Sequence, residues 1–198
     1  MALQFEQRTY LIIKGNERYL CQWELKQGDG ITVITRQKSE ECTSEFTSRY
    51  ESILMLVKDL NTKIEARREG DALSVIGTLR GRNVSRKYQL DSAPWYQVMS
   101  YSLHDFVLGD RKEMEFWMLH PETFVPYKMK AVKEGIETIS ISGRKLEAQR
   151  VRLRIKGVLS LFWHGDSWYR AGDGVLVLYK SLNGPPGSPE TSVEYVGP

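Results

Sequence analysis

The chain has 198 residues, 41% hydrophobic and 27% charged, with 28 Lys and Arg against 25 Asp and Glu for a net charge of +3. That length and composition suit one domain, 1–198, with a substantial core. So small a surplus gives no footing for nucleic acid as a partner, and no apolar run approaches the roughly 20 residues of a membrane-spanning helix.

The start, Met1-Ala2-Leu3-Gln4-Phe5-Glu6, has neither a basic stretch nor an apolar h-region. The expectation is therefore periplasmic where a signal peptide has been removed and cytoplasmic otherwise. From there period-two patterning dominates, the mark of half-buried strands. Arg18 to Lys26 and Ile31 to Lys38 flank Gln27-Gly28-Asp29-Gly30 and read as a β-hairpin. In that register Cys21 falls opposite about residue 37, so Cys42 is not its direct cross-strand neighbour. Two cysteines make no disulfide framework, and their spacing fits no zinc pattern. Ser52 to Asn61, with Ile53-Leu54-Met55-Leu56-Val57 inside it, fits either a buried strand or a helical turn. Lys63 to Arg68 and Ala72 to Leu79 flank Glu69-Gly70-Asp71 as a second hairpin. Arg80-Gly81-Arg82-Asn83 then turns into Val84 to Leu90, where Val84, Tyr88 and Leu90 share one face.

One segment breaks this rhythm. Asp91-Ser92-Ala93-Pro94-Trp95 joins capping residues to a proline near the first helical position. Trp95, Val98, Met99, Leu103 and Phe106 recur at three- and four-residue steps, and Gly109 stands where a helix stops. The spacing predicts a helix over Pro94 to Val107. Its other side carries Tyr96, Tyr101 and Val107, so it must be covered on several sides. Strands follow at Glu113 to Leu119, Phe124 to Lys133, Glu137 to Ile141, Leu146 to Lys156, Trp163 to Arg170, Val175 to Ser181 and Ser192 to Val196. Turn signals at Gly135, Gly143, Gly157, Gly165 and Gly172-Asp173-Gly174 punctuate them. Gly184-Pro185-Pro186-Gly187-Ser188 reads as a rigid crossover before the last strand, since proline cannot donate to a ladder. The predicted fold class is mainly β: a curved antiparallel meander, an incomplete barrel or clam, wrapped around one central helix.

Catalytic signals are thin. His104, His120 and His164 show no metal-ligand spacing to another His or Cys. His164 lies close to Asp166 and Ser167, but triads draw their members from separated segments. No nucleophile elbow or phosphate-cradling loop is present. No catalytic residue, metal or cofactor is predicted, and a hydrolase using His164 and Asp166 is the remote alternative.

Two features remain. In Arg150-Val151-Arg152-Leu153-Arg154-Ile155-Lys156 the pleat puts Arg150, Arg152, Arg154 and Lys156 on one face and three aliphatics on the other. That face either pairs with neighbouring carboxylates, Glu134, Glu137 and Glu147 among them, or forms a cationic stripe for anionic lipid or an acidic partner. The aromatic residues either fill a core or line an apolar space between helix and sheet. The residues expected to line it are Trp95, Met99, Phe106, Trp117 and Trp163.

Ala148-Gln149-Arg150-Val151-Arg152-Leu153, Phe162-Trp163, Trp168-Tyr169-Arg170, Asp173-Gly174, Tyr179 and the Gly-Pro-Pro-Gly run carry a resemblance, together with Phe116-Trp117 and the Trp95-Tyr96 segment. From about Tyr10 to Val196 the chain resembles an uncharacterised bacterial family of β-rich domains of unknown function, many of them exported. That family is similar in architecture to the periplasmic lipoprotein carriers, an open antiparallel barrel around a helix. The resemblance implies a non-enzymatic domain binding a hydrophobic or lipid-like ligand in a cleft between sheet and helix. The alternative is a protein-interaction or envelope-assembly module using the basic strand face or an edge strand, with a peripheral membrane or protein partner.

Overall fold

A computed structural model describes residues 4–157, 163–183 and 190–198; the predicted Gly184–Ser188 crossover lies outside them. In chain order the elements are β1 (Gln4–Lys14), β2 (Glu17–Gln27), β3 (Ile31–Gln37), β4 (Glu40–Phe46), β5 (Ser52–Lys58), β6 (Lys63–Glu69), β7 (Ala72–Leu79) and β8 (Arg82–Gln89). Then come α1 (Met99–Ser102), α2 (His104–Leu108), β9 (Glu113–Leu119), β10 (Pro126–Ile141), β11 (Arg144–Ile155), β12 (Trp163–Arg170), β13 (Leu176–Asn183) and β14 (Glu190–Gly197). The strands form one antiparallel sheet in the order β8-β7-β6-β5-β4-β3-β2-β1-β14-β13-β12-β11-β10-β9. The two ends of the chain thus pair in the middle of the sheet, and β8 and β9 are its edges. This is the curved, unclosed meander around a helical segment that the patterning implies.

The predicted hairpins form, with Cys21 opposite Gln37. Both cysteines are free, and burial pushes each thiol up to about 11. The ambiguous 52–61 stretch is the strand β5, with Met55 and Val57 buried on one face. Three features depart from the sequence reading. β1 and β4 are strands the patterning does not announce, β4 because Glu-Glu-Cys-Thr-Ser-Glu-Phe is almost wholly polar. The predicted strands Phe124–Lys133 and Glu137–Ile141 merge into one, β10, which starts only at Pro126: Gly135, at φ +132°, makes a bulge where the register slips, not a turn. Gly165 lies within β12, where a Cβ would meet the Tyr179 ring at 2.9 Å.

The helix is the fourth departure. It covers only Met99–Leu108, broken at Leu103, which carries φ −87° and ψ 2°. Residues 94–97 are extended because their polar groups find strand partners. Trp117 N donates to Pro94 O at 2.7 Å, Tyr96 N to Trp117 O at 2.8 Å, and Ser52 N to Trp95 O at 2.8 Å. The Gln97 amide acts as a further ladder rung, accepting from Leu119 N at 2.9 Å and donating to Leu119 O at 3.1 Å. Its oxygen also takes the Trp95 indole N–H at 3.0 Å, while Gln97 N donates to Ser52 Oγ at 3.0 Å. Tertiary hydrogen bonding has outweighed helix-start chemistry here.

This strap divides the interior. Trp95 and Tyr96 are consecutive in an extended segment and enter different cores, as alternation requires. Tyr96 joins Phe116, Leu103, Phe106, Met129, Leu153 and Tyr169 in the barrel core built on β1–β4 and β9–β14. Trp95 joins Leu119, Phe124 and the inner residues Met55, Val57, Ile64, Ala66, Leu73 and Val75 of β5–β7. Phe116 and Leu119 have opposite parity on β9 and are both 0% exposed, so the C-terminal end of β9 is buried on both faces, while Glu113 at its start is exposed. The strap therefore bridges the gap from the start of β5 to β9, and β5–β8 lies as a flap over the outer face of β9.

Candidate functional site

The residues expected to share a cleft are dispersed by this geometry. Trp95 is wholly buried in the second core, and Trp117 packs at that core's margin. The Trp117 indole N–H donates to Asp91 Oδ1 at 2.8 Å, with Lys128 5.7 Å above its ring. Met99, Phe106 and Trp163 belong to the barrel core. Phe106 is 1% exposed with Lys133 over its ring, and the Met99 carbonyl accepts from the Tyr169 hydroxyl at 3.2 Å. Tyr101, Leu103, Phe106 and Val107 are all buried against the sheet, so helix and sheet are in contact where the cleft was expected.

Apolar surface emerges instead at one end of the barrel. On the inward face, Met118 of β9 pairs with Tyr127 of β10, and Ile155 of β11 pairs with the buried Met129. Trp163 opens β12 one step beyond the Arg154–His164 pair, on the same face as the buried Gly165, Ser167 and Tyr169. Met118, Tyr127, Ile155 and Trp163 are all half-buried against the barrel core. Of these only Trp163 was singled out in the sequence. The others were signalled by the alternation Met114-Phe116-Met118 and by the aliphatic side of the basic strand, once register is known. Inside the barrel, Arg8 is buried with its guanidinium 4.2 Å from the Trp23 ring and 2.7 Å from Glu6, an inward cation the patterning did not reveal.

The basic face is largely neutralised. Arg150 and Arg152 share Asp166 at 2.8 and 3.1 Å, Arg152 also approaches Glu134 at 3.4 Å, and Lys156 reaches Glu115 at 2.7 Å. Burial works against the Asp166 charge, yet the two arginines hold its carboxyl below the usual range. Arg154 is exposed. Of the expected carboxylates Glu134 takes part, while Glu137 accepts from the Trp168 indole. Asp166 was missed as a partner because cross-strand pairing is invisible without register. His164 and Asp166 sit on the outer face of β12, and Ser167, 1% exposed, on the inner one, so the three do not converge. Two shallow concavities lie among the described residues, neither of them between helix and sheet. One of about 150 Å³ is lined by Gln7, Arg8, Thr9, Gln22, Trp23, Glu24 and Pro198; the other, about 290 Å³, lies at the Asp59–Lys63 turn with Thr78 and Gly81.

No protein-family model matches the chain, and no curated protein matches it in sequence. Its fold is that of a solved β-barrel-like protein of unknown function. A β-barrel-like protein of the domain of unknown function DUF1849 from Brucella abortus superposes with TM-score 0.64 at 8% identity, over 99% of this chain and 98% of that one. The hypothetical lipoprotein YmcC from Escherichia coli gives TM-score 0.42 at 11% identity, over 96% and 83% respectively. At these identities the first likeness shows the fold alone.

Proposed function

We propose that residues 1–198 form a single non-enzymatic domain that binds a hydrophobic or lipid-like ligand at the barrel end marked by Met118, Tyr127, Ile155 and Trp163. The observation that carries this is the set of four half-buried apolar side chains on the inward face of four adjacent strands, Met118 paired with Tyr127 and Ile155 one inward position away beside Met129, all packed against the barrel core. Such a rim removes the apolar part of a ligand from water at about 25 cal/mol per Å² before association costs. Deeper entry requires the helical segment to shift, and α1 and α2, of four and five residues without side-chain caps, are short enough to move as a unit. The compartment that suits this reading is the bacterial periplasm, where lipid must be shielded from water. A docking role for the Arg150–Lys156 face has less support, because three of its four cations are paired with carboxylates.

The test is native mass spectrometry of the purified protein with fatty acids and phospholipids, beside displacement of an apolar dye. Binding is expected, at least ten-fold weaker in Trp163→Ala/Ile155→Asp, with Trp95→Phe leaving it unchanged. Absence of bound lipid together with no dye displacement overturns the proposal, as does binding indifferent to Trp163 and Ile155.

A further inference from the structure

The outer edge of β8 is an open ladder. Arg80-Gly81 is a two-residue turn with both residues left-handed, at φ +50° and +77°, so Leu79 and Arg82 form its hydrogen-bonded closing pair. Even-numbered residues of β8 therefore bond to β7, and Leu90 N donating to Asp71 O at 2.8 Å continues the same parity. The N–H and C=O groups of Asn83, Ser85, Lys87 and Gln89 point the other way. Among the described residues no backbone group bonds to them. The opposite sheet edge differs, since the strap covers β9 at Trp117 and Leu119. The 120–125 turn approaches β8 only through side chains, Arg86 to Thr123 O at 2.9 Å and Arg80 to Glu122 at 3.5 Å.

Charge selects the occupant. Residues 63–89 hold seven Lys and Arg against three Asp and Glu, a surplus of four in a chain whose total surplus is three. β8 itself carries Arg82, Arg86 and Lys87 with no carboxylate, and no residue of it is buried. A second copy pairing edge to edge would set these cations against each other. We propose that β8 accepts an extended acidic segment of a partner protein as an added strand, its backbone supplying the ladder and its carboxylates meeting Arg82, Arg86 and Lys87. This surface is separate from the apolar barrel end and does not depend on it.

The probe is a capped nine-residue peptide of Glu-Glu pairs separated by Val and Thr, which sets carboxylates on both faces of the added strand, followed by fluorescence anisotropy and by amide exchange of the protein. Binding is expected, with slowed exchange at Asn83, Ser85, Lys87 and Gln89 and affinity falling as salt rises. Ser85→Pro, which removes one outward N–H without touching the β7 ladder, weakens binding at least ten-fold, and so does Arg82→Glu/Lys87→Glu. The same acidic peptide with a central proline also loses at least ten-fold, and a Lys-for-Glu version does not bind. Equal affinity for the proline peptide reduces the effect to charge alone and overturns the proposal. Absent binding, protection elsewhere, or a dimer held through β8 does the same. Should Ser85→Pro fail to fold, the exchange pattern of the wild-type protein decides.

Discussion

The barrel and the flap are cut from one meander, yet they are stabilised in different ways. Barrel strands close on a helical segment that belongs to no strand pair, and Leu103, Phe116, Leu153 and Tyr169 are each 0% exposed there. The flap has no filling of its own. It covers Leu73, Val75 and Ile64 by borrowing Leu119 from the outer face of β9, Phe124 from the following turn and Trp95 from the strap. Its last strand has no fully buried residue, contributing only the half-buried Val84 and Tyr88. One continuous sheet thus holds two packing units, expected to differ in stability and joined by the strap and by Arg68, whose guanidinium grips the carbonyls of Asp91 and Ala93 at 3.0 and 2.6 Å.

The largest expected effect separates the cores. Phe116→Ala, in the barrel, lowers global stability by about 3–5 kcal/mol and moves the whole denaturation curve. Leu73→Ala, in the flap, frees β6–β8 to open first, seen by amide exchange as early loss of their protection while the β10–β13 amides stay protected. A single shared transition for both variants would erase the distinction. Next comes the rung between the units. Gln97→Leu strands Leu119 N–H and C=O and the Trp95 indole, and costs roughly 2–4 kcal/mol measured by urea titration; a loss within experimental error would mean that the strap does not bridge the gap. The smallest effect is pH-dependent. Lys128, then the Trp117 indole and the Ala93 N–H, hold the Asp91 carboxyl down from 3.8 to about 2. A depressed carboxylate adds stability above its unfolded value, and that increment disappears as pH falls through the folded one. The melting temperature of the wild type therefore exceeds that of Asp91→Asn at pH 6, and the gap closes between pH 4 and 2. A gap that persists at pH 2 would assign the effect to something other than ionisation.

Much of the architecture is legible in the residues. The Glu69-Gly70-Asp71 and Gln27–Gly30 turns, the Cys21–Gln37 register and the two-faced Arg150–Lys156 strand follow from alternation and turn chemistry, which are local. The strap is not legible. Pro94 behind Asp91-Ser92 carries the chemistry of a helix start, and only Ser52 and Trp117, both distant in sequence, make the extended form preferable. Gly135 reads as a turn because the signal for a bulge is the same glycine. The candidate site was hidden for the same reason. Trp163 stands out by its size, but its neighbours Met118, Tyr127 and Ile155 are gathered by register, which no single segment contains.

Native-state hydrogen exchange, resolved by strand, tests the two-unit account most directly. It predicts that β6–β8 amides exchange together at a lower opening free energy than those of β10–β13, with Gln97→Leu lowering both. Equal protection across flap and barrel, or a flap more protected than the barrel, would contradict it.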